Sequence, residues 1–209
     1  MKYLDIRDHF DNLDVVLFHG TGFISDLVGL FSKHYTHVGT VVRCSAKDLD
    51  ILLSKNLISN TLSADCRGKS DVLMLFESTV INGKKGVQLN LLSESIAKYK
   101  GKVAVRHLDT DRRLNVKNYY KFISESLGKP YESHPLELLG CAVESGISIE
   151  DDSDFFCSEL SARSYQKVKL LPPQPIANKY KPDDFMYGGV VDSRLINATL
   201  ELEIVVDKG

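Results

Sequence analysis

Strand-length apolar runs, each cut off by a turn or a charge, set the tightest constraint on how this chain can fold. Residues 13–18 read Leu-Asp-Val-Val-Leu-Phe and stop at His19-Gly20-Thr21-Gly22; residues 72–76 read Val-Leu-Met-Leu-Phe and stop at Glu77-Ser78. Both are the length of buried strands, and neither approaches the roughly 20 apolar residues that span a bilayer. Residues 35–42, Tyr-Thr-His-Val-Gly-Thr-Val-Val, are rich in β-branched side chains and predict another strand. Alternation puts His37, Gly39 and Val41 on one of its faces. Residues 102–108 predict a further strand around Val103-Ala104-Val105. Asn82-Gly83-Lys84-Lys85-Gly86 reads as a hairpin turn with residues 87–91 returning. Leu200, Leu202, Ile204 and Val206 alternate with polar residues, the pattern of a half-exposed terminal strand.

Helical spacing fills the gaps between these runs. Ile24, Leu27, Val28 and Phe31 mark a short amphipathic helix, and residues 47–60, 93–99 and 136–143 are further candidates. Val116, Tyr119, Tyr120, Ile123 and Leu127 mark a helix that stops at Gly128-Lys129-Pro130. Residues 172–182 are Pro-rich and read as a surface connection. The set predicts one α+β domain.

Composition narrows the function classes. The 209 residues are 43% hydrophobic and 26% charged with a net charge of −2, and no basic run marks a nucleic-acid surface. Cys44, Cys66, Cys141 and Cys157 show neither CxxC nor zinc spacing nor a dense disulfide framework, and the chemistry expected below calls for no metal or organic cofactor. The first eight residues are charged where a signal peptide is apolar, which predicts a cytoplasmic, reducing location with free thiols.

One stretch carries chemistry. Asp151-Asp152-Ser153-Asp154-Phe155-Phe156-Cys157-Ser158-Glu159-Leu160 reads as an acidic loop, a cap at Ser153 or Asp154, and a helix with Cys157 in its first turn. Leu160, Ser161, Ser164, Tyr165 and Val168 form its inward face. Unpaired N–H groups and the positive dipole end at a helix start favour the thiolate. The plainer alternative is a buried core cysteine. A nucleophile needs a base. His9, His34, His107 and His134 read as ordinary surface or loop histidines, and His19 lies in a Gly-rich turn that could line a site. His37 opens an apolar strand with Gly39 on its face. If residues 36–42 and 72–78 pair antiparallel with Val42 opposite Val72, His37 falls opposite Glu77, within reach of an imidazole–carboxylate bond.

The ordered set Leu-Asp-Val-Val-Leu-Phe, Tyr-Thr-His-Val-Gly, Phe-Glu-Ser, Gly-Lys-Pro-Tyr and Phe-Cys-Ser-Glu-Leu resembles the circularly permuted NlpC-type papain-like family. That group includes the YiiX/YaeF-like hydrolases and a related poxviral set, with lecithin–retinol acyltransferase as a distant relative. The resemblance implies an antiparallel sheet packed on helices, with the nucleophile helix late in the chain. It implies Cys157 as nucleophile, His37 as base and Glu77 as the group that holds the imidazole. Tyr131, Ser158 and His19 are expected to line the substrate or oxyanion side. The implied core covers about residues 14–185, with 43–71 as an insertion or lid and 186–209 as a C-terminal strand extension. The expected activity is a cysteine hydrolase or acyltransferase acting on an amide or ester, with a lipid acyl group as substrate and peripheral membrane contact. The alternatives are a catalytically silent binding module and a peptidase, deubiquitinase-like or directed at peptidoglycan stem peptides.

Overall fold

The computed structural model describes residues 1–20, 33–45, 47–49, 71–81, 84–111, 114–131 and 155–207. Six strands form one antiparallel sheet: β1 (Val15–Gly20), β2 (His37–Ser45), β3 (Asp71–Ile81), β4 (Lys84–Leu91), β5 (Gly101–Arg106) and β8 (Ile204–Val206). Their order is β4-β3-β2-β1-β5-β8. Two short strands, β6 (Leu108–Asp109) and β7 (Thr199–Leu200), pair with each other. The helices are α1 (Tyr3–Ile6), α2 (Leu92–Lys98), α3 (Val116–Ser126) and α4 (Cys157–Lys167).

Both faces of the sheet are covered, which explains why β1 and β3 read as continuous apolar runs instead of alternating ones. One face carries Val15, Leu17, Val38, Val42, Met74 and Phe76, buried against Tyr119, Phe122 and Ile123 of α3 and Leu160 and Tyr165 of α4. The other carries Val16, Phe18, Val41, Leu73, Leu75, Val103 and Val105, buried against Leu92 and Ile96 of α2 and Ile6 and Phe10 near the N-terminus. Two buried tyrosines tie the first layer to the backbone: Tyr119 donates to the Val41 carbonyl (3.1 Å) and Tyr165 to that of Leu13 (2.6 Å). Each edge strand bonds to a neighbouring segment. The β8 side bonds to Met1 through Val205 and Asp207, and Val87 of β4 exchanges bonds with Gly128 and Lys129.

Several expectations are corrected. Strand β2 runs on through Ser45 and β3 begins at Asp71, so Arg43, Cys44, Ser45 and Asp71 are sheet residues and not part of an insertion. Strand β4 begins at Lys84, three residues earlier than the turn Asn82–Gly86 implied, with Ile81 paired to Lys84. The single terminal strand expected from Leu200 to Val206 is two, β7 and β8, with Leu202 exposed between them. Strand β8 adds to the main sheet beside β5, in keeping with a C-terminal strand extension, and Val191, Leu200 and Val206 are buried. Residues 172–182 are more than a surface connection, because Ala177 and Tyr180 are buried. The expected helix at 23–31, the candidate at 136–143 and most of 47–60 lie outside the described residues.

Candidate active site

The site forms where β1 ends and β2 begins. The register there differs from the one expected: Val42 faces Met74 and Thr40 faces Phe76, a shift of two residues. A shift of two preserves the face while a shift of one would reverse it, so His37 and Glu77 remain on the same side. They meet diagonally, His37 Nε2 lying 2.6 Å from Glu77 Oε2. Glu77 is buried, and its second oxygen, Oε1, accepts from Asn90 Nδ2 at 2.8 Å. Gly39 allows a close approach, as expected, but the approaching group is β3: a Cβ there would lie 2.8 Å from a Leu75 methyl and 3.1 Å from the Phe76 carbonyl.

Cys157 reaches the same histidine from the other face. It is the first residue of α4, capped by Phe156 and not by Ser153 or Asp154, which lie outside the described residues. The Phe156 N–H is held by the Glu159 carboxylate at 3.4 Å. An acid in the first turn also suits the positive end of the helix dipole. Ser78 fixes the approach to the helix, its hydroxyl donating to the buried Phe155 carbonyl at 2.6 Å. Cys157 is itself buried, and it lies near enough for its charge to act on His37. Burial would lower the His37 pKa; the charge and hydrogen bond of Cys157, then those of Glu77, outweigh it and push it up to about 10. Both neighbours thus favour the protonated form of the ring.

Among the other expected residues, Tyr131 is beside the site: it bridges to Phe155, and its ring meets Phe156 edge-on at 5.7 Å. Ser158 is buried in the first helical turn, where helix geometry leaves its N–H and that of Cys157 without intrahelical partners. His19 is exposed, and its ring contacts the His34 carbonyl, so it braces the loop before β2. His9 and His34 are exposed as expected, and His134 lies outside the described residues. His107 is not an ordinary surface residue: its Nδ1 lies 2.7 Å from the buried Asp14 carboxylate, at the far end of the sheet.

Three groups escaped the sequence reading. Asp183 accepts from the backbone N–H of Lys33 (2.7 Å), Tyr35 (2.7 Å) and His34 (3.2 Å), clamping the run into His37. Tyr99 lies over the glycine pair Gly20 and Gly101, 4.9 Å from the Phe18 ring, which in turn lies 5.2 Å from that of His37. Burial raises the Tyr99 pKa; the bond to Thr36 opposes this, and the nearby charge of Cys157 adds to it. Asn90 is the third. Its signal was the alternation Val87, Leu89, Leu91 against Gln88, Asn90, which sets two amides on the face that carries Glu77. No three His, Cys, Asp or Glu side chains converge as a metal site among the described residues, and no described helix is long and apolar enough to cross a membrane.

The sequence matches no protein-family model and no curated protein. Among solved structures it is similar to the metalloprotein yiiX from Escherichia coli O157:H7. The identity is 16%, the match covers 95% of this chain and 97% of that one, and the TM-score is 0.48.

Proposed function

We propose that this protein is a cysteine hydrolase or acyltransferase with a permuted papain-like order of parts, using Cys157, His37 and Glu77. The observation that carries the reading is one imidazole that meets a buried carboxylate at 2.6 Å and lies within the influence of a helix-start cysteine. The Cys157 thiolate attacks an ester or amide carbonyl carbon. The C–O or C–N bond breaks, the leaving group takes the His37 proton, and a thioester remains. Water or an acceptor hydroxyl then loses its proton to His37, attacks the thioester carbon and expels the thiolate. Glu77 holds the ring in place and balances the imidazolium. The oxyanion meets the N–H groups of Cys157 and Ser158, and one such donor is worth about 3 kcal/mol.

For substrate we propose a lipid acyl group. Residues 23–31, Phe-Ile-Ser-Asp-Leu-Val-Gly-Leu-Phe, follow the end of β1 at the site and hold six apolar side chains, more than one helix face needs. A hydrocarbon chain gains about 0.8 kcal/mol for each methylene buried. The test is kcat/KM across acyl esters of rising chain length and a set of peptide amides, wild type beside Cys157→Ala. Turnover that rises with chain length and vanishes in Cys157→Ala supports both parts. Preferential cleavage of peptide amides refutes the lipid assignment, and undiminished turnover in Cys157→Ala refutes the mechanism.

A further inference from the structure

The Glu77 carboxylate is held at both ends, and the second hold belongs to a residue outside the proposed triad. Oε2 faces His37 Nε2 at 2.6 Å and Oε1 accepts from Asn90 Nδ2 at 2.8 Å. The β3–β4 ladder pairs Glu77 with Gln88 and Leu75 with Asn90, so Asn90 is the diagonal neighbour of Glu77 on one face. Around it that face carries Leu73, Leu75, Leu92 and Ile96, all buried apolar side chains. Gln88 sits directly opposite Glu77, but its amide is directed along the hairpin to the carbonyls of Thr79 (3.3 Å) and Gly86 (3.4 Å). The polar hold on Oε1 therefore falls to Asn90.

We infer that Asn90 is a positioning residue for the proposed reaction, acting through Glu77 on His37. The terminal torsion of a glutamate is broad and two-fold, so a carboxylate bonded through one oxygen can swing and offer either oxygen to the ring. Bonded through both, its plane is fixed and His37 has one orientation. An amide suits the position because it donates without charge. A cation there would compete with His37 for the carboxylate, and an anion would repel it. The inference rests on the Cys157–His37–Glu77 reading and adds a fourth member behind it.

The test is the rate of Cys157 carboxamidomethylation by iodoacetamide at neutral pH, read with the ring ¹⁵N signals of His37 across a pH series. It is run on wild type, Asn90→Ala, Asn90→Ser and Glu77→Gln. Asn90→Ala should slow labelling about fivefold, the worth of one ordinary hydrogen bond. It should also shift the His37 titration to lower pH, and Asn90→Ser, which keeps an O–H donor, should recover part of both. Labelling within twofold of wild type and an unmoved His37 titration in Asn90→Ala would overturn the inference, even if the variant melts earlier, because a merely structural role moves only the melting. Asn90→Ser and Glu77→Gln carry the comparison if Asn90→Ala does not fold. If Glu77→Gln slows labelling and the Asn90 variants do not, Asn90 alone is excluded. If Glu77→Gln is also without effect, the triad reading itself fails.

Discussion

Glu77 and Ser78 are consecutive on β3 and point to opposite faces, one holding His37 and the other holding the chain two residues before Cys157. Removing the Ser78 hydroxyl tests that second hold. Its bond to the Phe155 carbonyl is 2.6 Å long, and Ser78 and Phe155 are both 0% exposed. Ser78→Ala leaves that carbonyl buried without the donor, a cost of about 1–3 kcal/mol. In a domain of this size each kcal/mol lowers the melting temperature by about 2–4 °C. Because Phe155 leads directly into α4, the thiol should also drift from His37, slowing its reaction with iodoacetamide several-fold.

Ser126 supplies the control. It too is 0% exposed, yet its hydroxyl has no hydrogen-bond partner among the described residues. Ser126→Ala removes the same atom without orphaning an acceptor and should leave stability unchanged or raise it. Urea denaturation and thermal melts of the two variants, with the labelling rate of Cys157 in each, make the comparison. Equal melting temperatures for Ser78→Ala and Ser126→Ala, with wild-type labelling in both, would refute the argument that β3 positions the cysteine.

Other consequences follow from the same geometry. With a pKa near 10 against about 6.5 for an ordinary histidine, the His37 ring should stay protonated through pH 8 and lose its proton only near pH 10. Cys157→Ser removes the strongest influence holding that proton and should move the titration down, as ¹⁵N NMR would record; a wild-type ring that titrates near 6.5 contradicts the ion pair. Asp183→Asn weakens the acceptor for three backbone N–H groups ahead of β2 and should cost about 1–2 kcal/mol in urea denaturation while slowing Cys157 labelling. His107→Asn should cost about 1.5–3 kcal/mol by stripping a charge-assisted bond from buried Asp14, with labelling of Cys157 unchanged.

What could be read in advance divides along physical lines. The strands were legible because burial on both sheet faces writes itself as unbroken apolar runs, as in residues 15–18 and 72–76. Their ends were not, because Arg43, Cys44 and Asp71 join the ladder through backbone bonds that any residue can make. Placing His37, Glu77 and Cys157 together drew on parity and order: alternation keeps a face under a two-residue register error, so the wrong pairing still gave the right neighbours. Asp183 was hidden because its partners are backbone N–H groups about 150 residues away, and backbone leaves no mark in composition. Arg106 is hidden in another way: a charged residue beside His107, it is 0% exposed and bonds to Asp192 and the carbonyls of Phe185, Leu200 and Glu201.

The two histidine–carboxylate pairs of this sheet sharpen the functional argument. His37 and Glu77 meet at 2.6 Å with side chains 17% and 2% exposed; His107 and Asp14 meet at 2.7 Å with 14% and 2% exposed. In both the carboxylate draws the histidine pKa upward. Asp14 also accepts from the backbone N–H groups of Asp11 and Leu108, so that pair ties the start of β1 to the strand after β5. A short, buried imidazole–carboxylate bond is thus a structural device that this fold uses twice, and by itself it says nothing of catalysis. The difference lies on the other side of the ring. His107 packs edge-on against Phe10, whereas His37 carries the thiol of Cys157. Among the described residues, a helix-start cysteine and a buried carboxylate converge on His37 and not on His107, and the proposed proton transfer between nucleophile and leaving group rests on that difference.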